Sequence, residues 1–238
     1  MDSTLSDTAN TVVNITNLQF TWPNASQAIL DIPEFSIQEG EHVFIKGPSG
    51  CGKSTLLGLL TGINQVQQGQ VDVLGTEIRT LNPSLRDKFR ADNIGYIFQQ
   101  FNLLPYLSVI ENVILPCQFS TQRKKQLQQS PEQEAKELLT RLHLPQELLN
   151  KPVIELSIGQ QQRVAAARAL IGSPKLIIAD EPTSALDHEN RSAFIELLME
   201  QANLAKSTLV FVSHDPTLEA LFDRSINLKQ LNKAGENQ

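Results

Sequence analysis

Nine consecutive residues, Gly47 to Thr55 (GPSGCGKST), have the spacing of a chain that wraps around phosphate. Gly47 and Gly52 bracket the turn, and Pro48, Ser49, Gly50 and Cys51 lie between them. Successive backbone N–H groups must turn inward around the phosphate oxygens there, a nest that side chains would obstruct. Lys53 is expected to reach the β- and γ-phosphates of a nucleotide, and the Ser54 hydroxyl to hold Mg²⁺. The helix that opens near Lys53, with Thr55 in its first turn, points its positive end at the same anion. A second stretch has its own chemistry. From Lys175 the apolar run Leu-Ile-Ile-Ala ends abruptly in Asp180 and Glu181. Burying charge is costly, so paired acids at a strand's C-terminal end have a cation or a reaction to serve. Asp180 fits as a Mg²⁺ partner, and Glu181 as the group that orients or deprotonates an attacking water.

These residues need elements to position them. Glu41 to Lys46 reads as a strand and Ser54 to Thr61 as an apolar helix, the strand–loop–helix setting that the glycine-rich loop requires. Ahead of it, Val13, Ile15, Leu18 and Phe20 alternate approximately, and a second strand-like stretch spans about Ala28 to Ile37; the two are expected to pair antiparallel. Further strands are expected at Val71 to Leu74, Ile94 to Phe98, Lys175 to Ala179, Thr208 to Ser213 and Ser225 to Leu228. Helices are expected from about Ser84 to Arg90, from Ser108, from Gln160 to Ile171, from Glu189 to Leu204 and, briefly, near Pro216 to Phe222. Ser120 to Gln129 is Gln/Lys-rich. Ser130 reads as a helix cap, with Pro131 at the first helical position and Gln133 placed to complete a capping box. Leu138, Leu139 and Leu142 lie along one side of that helix. The fold class is α/β: a phosphate-loop NTPase core with a mainly parallel sheet, an N-terminal antiparallel β layer and an inserted helical subdomain. The layout is a disordered lead-in over 1–10, a single domain over 11–230 with its helical insertion at about 100–158, and a tail over 231–238.

Composition narrows the function classes. The chain has 238 residues, 40% of them hydrophobic and 19% charged, and a net charge of −6, so a broad nucleic-acid-binding face is not expected. No apolar run approaches the roughly 20 residues of a membrane span. The start, MDSTLSDTAN, lacks the basic and apolar regions of a secretory signal, which makes a cytoplasmic chain the expectation. The two cysteines, Cys51 and Cys117, suggest neither a disulfide framework nor a zinc site. Cys51 reads as a small residue in a tight loop and Cys117 as a half-buried apolar one.

Leu156 to Gln160 (LSIGQ), followed by Gln161, Gln162, Arg163 and Val164, precedes the two acids. Pro182 to Asp187 and then Ser213, His214 and Asp215 follow them. This order and spacing closely resemble the ATP-binding cassette (ABC) family over about Val12 to Leu228. The resemblance implies ATP and Mg²⁺ as ligands and a head-to-tail pair in which the signature stretch of one copy completes the ATP site of the other. Ser157 offers a hydroxyl and Gly159 an unobstructed N–H at a helix start, both suited to a γ-phosphate; Gln160 belongs to the same stretch. The usual signature is LSGGQ, and Ile158 stands here where the first glycine is expected. By the same resemblance Gln99 is the Q-loop glutamine that touches Mg²⁺ and water, His214 the switch histidine at the γ-phosphate, and Asp187 part of the D-loop. An aromatic stacked on adenine is implied near the start of the cassette, with Trp22 favoured over Phe20.

The implied function is the ATP-hydrolysing subunit of an ABC transporter. Two copies would work on separate integral-membrane permease subunits, peripheral to the cytoplasmic face of the membrane. Phe98 to Pro105 and Glu111 to Pro116 look most like the lipoprotein-releasing and macrolide-exporting group. The alternative is a soluble, non-transport ABC ATPase acting on nucleic acid or ribosomes. Its chromosome and repair forms carry coiled-coil or zinc-bearing insertions, and the interval from Ser54 to Leu156 shows neither heptads nor paired cysteines. A cassette that clamps ATP without turnover is suggested only by Ile158.

Overall fold

The computed structural model describes residues 10–183 and 188–234. In chain order the elements are β1 (Thr11–Phe20), β2 (Leu30–Gln38), β3 (His42–Lys46), α1 (Lys53–Leu60), β4 (Gln68–Val73), β5 (Thr76–Glu77), α2 (Pro83–Asn93), β6 (Ile94–Ile97), α3 (Val109–Phe119), α4 (Thr121–Gln126), α5 (Pro131–Arg141), α6 (Ile158–Leu170), β7 (Leu176–Asp180), α7 (His188–Leu204), β8 (Thr208–Val212), β9 (Arg224–Asn227) and α8 (Leu228–Leu231). They fall into two compact bodies, one reaching Asp87 and resuming at His214, the other Lys88–Ser213. The lead-in expected over 1–10 lies outside the described residues except for Asn10.

In the first body, strands pair antiparallel in the order β2-β1-β4-β5. Val13, Ile15, Leu18 and Phe20 of β1 are all buried. The three-residue step from Ile15 to Leu18, which breaks the alternation, is a physical irregularity: Asn17 has φ 49° and the register with β4 shifts between Thr16 and Gln19. Gly69 (φ 80°) lies against that irregularity, where a Cβ would collide with the Asn17 carbonyl. Pro33 is tolerated because β2 is an edge of this sheet. The same body holds β3 and β9 as a parallel pair, with Val43 opposite Arg224 and Ile45 opposite Ile226.

The second body is built on a parallel sheet in which Ile97, Ala179 and Phe211 stand side by side on β6, β7 and β8. Leu176 to Ala179 and Thr208 to Val212 are continuously buried, the pattern of strands covered on both faces. The antiparallel layer, the parallel strands and the helices together make the mixed α/β fold read from the sequence.

Caps start the helices of this body. Ser108 and Glu111 form a reciprocal box on α3: the Ser108 N–H donates to Glu111 Oε2 at 2.8 Å and the Glu111 N–H to Ser108 Oγ at 3.3 Å. Ser130 caps α5 as expected, but Gln133 does not complete a box, because its amide donates instead to Glu137 Oε1 at 3.4 Å, one turn along. Leu138, Leu139 and Leu142 are buried together. The Gln/Lys-rich stretch contains a short helix, α4, capped by Ser120 and carrying a fully buried Arg123. That guanidinium donates to the carbonyls of Ile94, Ala169 and Ile171, so carbonyl dipoles compensate its charge. Cys117 is 5% exposed, more deeply buried than expected.

A second buried guanidinium, Arg168 on α6, donates to the carbonyls of Asn102 (2.6 Å) and Phe101. Both acceptors have positive φ, 59° at Phe101 and 48° at Asn102, so the clamp holds a conformation that non-glycine residues rarely adopt. Burial lowers Arg168 to about 10, which leaves it charged at neutral pH. Arg168→Met leaves both carbonyls without their donor and is expected to destabilise the chain by about 2–4 kcal/mol. A lowered urea midpoint measures it; an unchanged midpoint contradicts the clamp.

Candidate active site

The phosphate loop runs from the end of β3, whose Val43, Phe44 and Ile45 are buried, to α1, anchored by Leu56, Leu57, Leu59 and Leu60. Gly52 is the N-cap of α1 at φ 102°; a Cβ there would stand 2.6 Å from Leu30 Cδ2, so both backbone conformation and packing demand glycine. No side chain caps α1 and no acid lies in its first turn, so the positive end of the helix is left to an anion. Pro48, Ser49, Gly50 and Ser54 are exposed, Gly47 and Cys51 are half-buried, and Thr55 is buried. Lys53 is 9% exposed, and its Nζ donates to the carbonyls of Gly47 (2.8 Å) and Pro48 (3.2 Å), so the ammonium folds over the loop. Its four-carbon stem allows these carbonyls to be exchanged for phosphate oxygens without moving the backbone.

The two aromatics near the end of β1 separate by burial. Phe20 is 5% exposed and belongs to the sheet's core, whereas Trp22 is 45% exposed and stands edge-on to Phe20, with centroids 5.1 Å apart.

In the second body β7 delivers Asp180 and Glu181 at its C-terminal end. Glu181 has φ 47°, and its N–H donates to the Val212 carbonyl at 2.9 Å, which turns the chain off the strand line at the second acid. The Tyr96 hydroxyl, on β6, donates to Asp180 Oδ2 at 3.3 Å. Burial first, and then the Asp180 carboxylate, push the Tyr96 phenol well above its ordinary value, so it stays a donor. The sequence reading missed this partner, whose only trace is a hydroxyl-bearing aromatic within an apolar strand. Gln99 is exposed two residues beyond β6, and His214 is exposed two residues beyond β8.

The signature stretch opens α6. Ser157 is its N-cap: Oγ accepts the Gln160 N–H at 3.3 Å, and Gln160 Oε1 accepts the Ser157 N–H at 2.9 Å. Ile158 occupies the first helical position and is 53% exposed, and the Ser157–Gln160 cap is formed with isoleucine at that place. A cleft of about 440 Å³ is lined there by Ser157, Gly159 and Gln160, with His143, Arg163 and Phe194. From the next turn Gln162 donates to the Pro182 carbonyl at 2.9 Å, tying α6 to the chain just after Glu181. Asp187, the D-loop residue, lies outside the described residues. The hydroxyl and carboxylate oxygens of Ser54 and Asp180 are donors of the hard type that Mg²⁺ takes.

Comparison with known proteins agrees with this chemistry. The family model described as ABC transporter matches residues 30–184. The lipoprotein-releasing system ATP-binding protein LolD of Shewanella oneidensis is 38% identical over 204 residues, covering 86% of each chain. The bacitracin export ATP-binding protein BceA of Halalkalibacterium halodurans is 35% identical over 218 residues, 89% of this chain and 84% of that one. Among solved structures, the dimeric post-hydrolysis state of the ATP-binding cassette MJ0796 bound to ADP and Pi superimposes with a TM-score of 0.79 at 33% identity, over 91% of this chain and 95% of that one. The family match spans more than half of the chain and these relatives cover most of its length: it belongs to the ABC transporter family, as an ATP-binding and ATP-hydrolysing subunit.

Proposed function

We propose that residues 11–230 form one ATPase domain, with a helical insertion at about 100–158, and that two copies pair head to tail on ATP to drive separate permease subunits at the cytoplasmic face of a membrane. The observation that carries the pairing is the exposed start of α6. Ser157 and Gly159 present a hydroxyl and an N–H at a helix N-terminus, and no acid of the first turn opposes an incoming γ-phosphate. Ile158, exposed between them, is proposed to leave these contacts to its neighbours.

Within each copy, the N–H groups of Gly47 to Thr55 and the Lys53 ammonium bind the phosphates, and Trp22 stacks on adenine. Ser54, Asp180 and Gln99 are the residues proposed to hold Mg²⁺, which when bound neutralises charge on the β- and γ-phosphate oxygens. Glu181 accepts a proton from water as the water oxygen bonds to the γ-phosphorus and the bond to the ADP oxygen breaks. His214 donates to the γ-phosphate, and Gln99 reports its presence to the helical insertion. Hydrolysis removes the phosphate on which the pair closes, so the two copies separate and the permease moves with them. The names of LolD and BceA support lipoprotein release or export as the task, and mechanical work on an extracytoplasmic region is the further form that we propose for it.

Tagged Glu181→Gln protein, incubated with MgATP and detergent-solubilised membranes of its native host, is expected to retain a polytopic membrane protein in stoichiometric amount. Recovery of ribosomes or DNA instead would overturn the transporter role while leaving the ATP chemistry standing.

A further inference from the structure

The chain segment after α8 returns to the phosphate loop. Asn232 follows α8, its N–H bonded to the Leu228 carbonyl at 2.8 Å, and its side chain makes four hydrogen bonds. Nδ2 donates to the carbonyls of Ile29 (2.8 Å) and Cys51 (3.4 Å), while Oδ1 accepts the N–H groups of Asp31 (2.8 Å) and Ala234 (3.1 Å). Both donors and both acceptor positions of the amide are therefore used, and the partners force its orientation: two carbonyls on one side, two N–H groups on the other. The Lys233 N–H adds a bond to the Asp31 carbonyl at 2.7 Å, so the segment straps β2 at its start.

The Cys51 carbonyl belongs to the same planar unit as the Gly52 N–H. In a trans peptide the two point to opposite sides, and no cis bond occurs among the described residues. A donor that draws the Cys51 carbonyl toward β2 therefore turns the Gly52 N–H away from β2. A Cβ on Gly52 would meet Leu30 and the Ile29 carbonyl, which is the other acceptor of Asn232. We infer that Asn232 is a positioning residue for nucleotide binding, setting the plane of the Cys51–Gly52 peptide so that the Gly52 N–H faces the phosphates. This rests on the phosphate-loop reading of Gly47 to Thr55. The contact involves no reacting atom, so it is expected to contribute to binding uniformly.

Calorimetric titration of the full chain with MgADP tests this without requiring dimerisation. Asn232→Ala is expected to weaken MgADP about fivefold, the worth of one neutral hydrogen bond. Asn232→Asp, which keeps both N–H bonds and hence the strap but sets a carboxylate oxygen against two carbonyls, is expected to weaken it more than about tenfold. The KM for ATP rises in the same ratio while kcat is unchanged, a split that a merely structural role would not produce. MgADP affinity at the wild-type level in Asn232→Asp overturns the inference, as does a lowered melting temperature with unchanged affinity in Asn232→Ala. If Asn232→Ala does not fold, Asn232→Asp alone decides. Lys53→Ala is the control: wild-type affinity there would mean that the phosphate-loop reading had failed, not the role of Asn232.

Discussion

Glu181→Gln is expected to slow turnover sharply and to trap the ATP-bound pair. The side chain keeps its size and hydrogen-bonding reach, and the backbone at φ 47°, tied through its N–H to Val212, has no reason to move. The capacity to take a proton from water is lost. General-base catalysis contributes about 10²–10⁴-fold, and phosphate release should fall by that factor at saturating ATP. ATP affinity is kept, because the groups that bind phosphate lie elsewhere in the sequence. The expected consequence in light-scattering chromatography is a species of twice the chain mass with MgATP and the single-chain mass with MgADP. Equal turnover by the two proteins would remove Glu181 from its role, and would leave Gln99 and His214 as the groups to test for orienting the water.

Lys53→Ala acts one step earlier, on binding. In the structure the ammonium donates to two loop carbonyls, Gly47 and Pro48. With nucleotide it is proposed to exchange these neutral acceptors for anionic phosphate oxygens, which attract the ammonium more strongly than carbonyls do. Losing two such bonds at roughly 1.5 kcal/mol each predicts about a 100-fold weaker Kd for MgATP. The fold should survive, because α1 is anchored by its buried leucines and the other face of the loop by Leu30. Calorimetry beside a circular dichroism spectrum separates the outcomes: wild-type affinity in a folded variant would contradict the placement of Lys53 at the phosphates.

The sequence by itself determined the residues that do chemistry and the order of the elements that carry them. A phosphate nest needs glycines and a lysine within nine consecutive positions. Strands buried on both faces need continuous apolar runs, and a serine marks the starts of α3, α5 and α6; each signal is local and specific to residue type, so it is readable. Even the irregular step in β1 was visible, as an interval of three where two was expected, although its cause at Asn17 was not. Tertiary structure decided the rest. Arg123, Arg168 and Asn232 end on backbone carbonyls, a group that every residue carries, so no residue type in the sequence marks their partners. Ser120 to Gln129 read as a polar stretch because a buried arginine is legible only when the carbonyls of Ile94, Ala169 and Ile171 are seen to converge on it. Gln133 met the pattern of a capping box, in which its amide oxygen would accept the Ser130 N–H, yet its NH₂ donates to Glu137 one turn along, a partner that the pattern does not weigh. Trp22 and Phe20 are both candidates for adenine while only their types are known; that Phe20 is packed into the sheet and Trp22 exposed is a difference that only the fold carries. Residue types and short spacings determined the chemistry; partners far apart in sequence were decided by folding, which alone brings a side chain to a particular carbonyl.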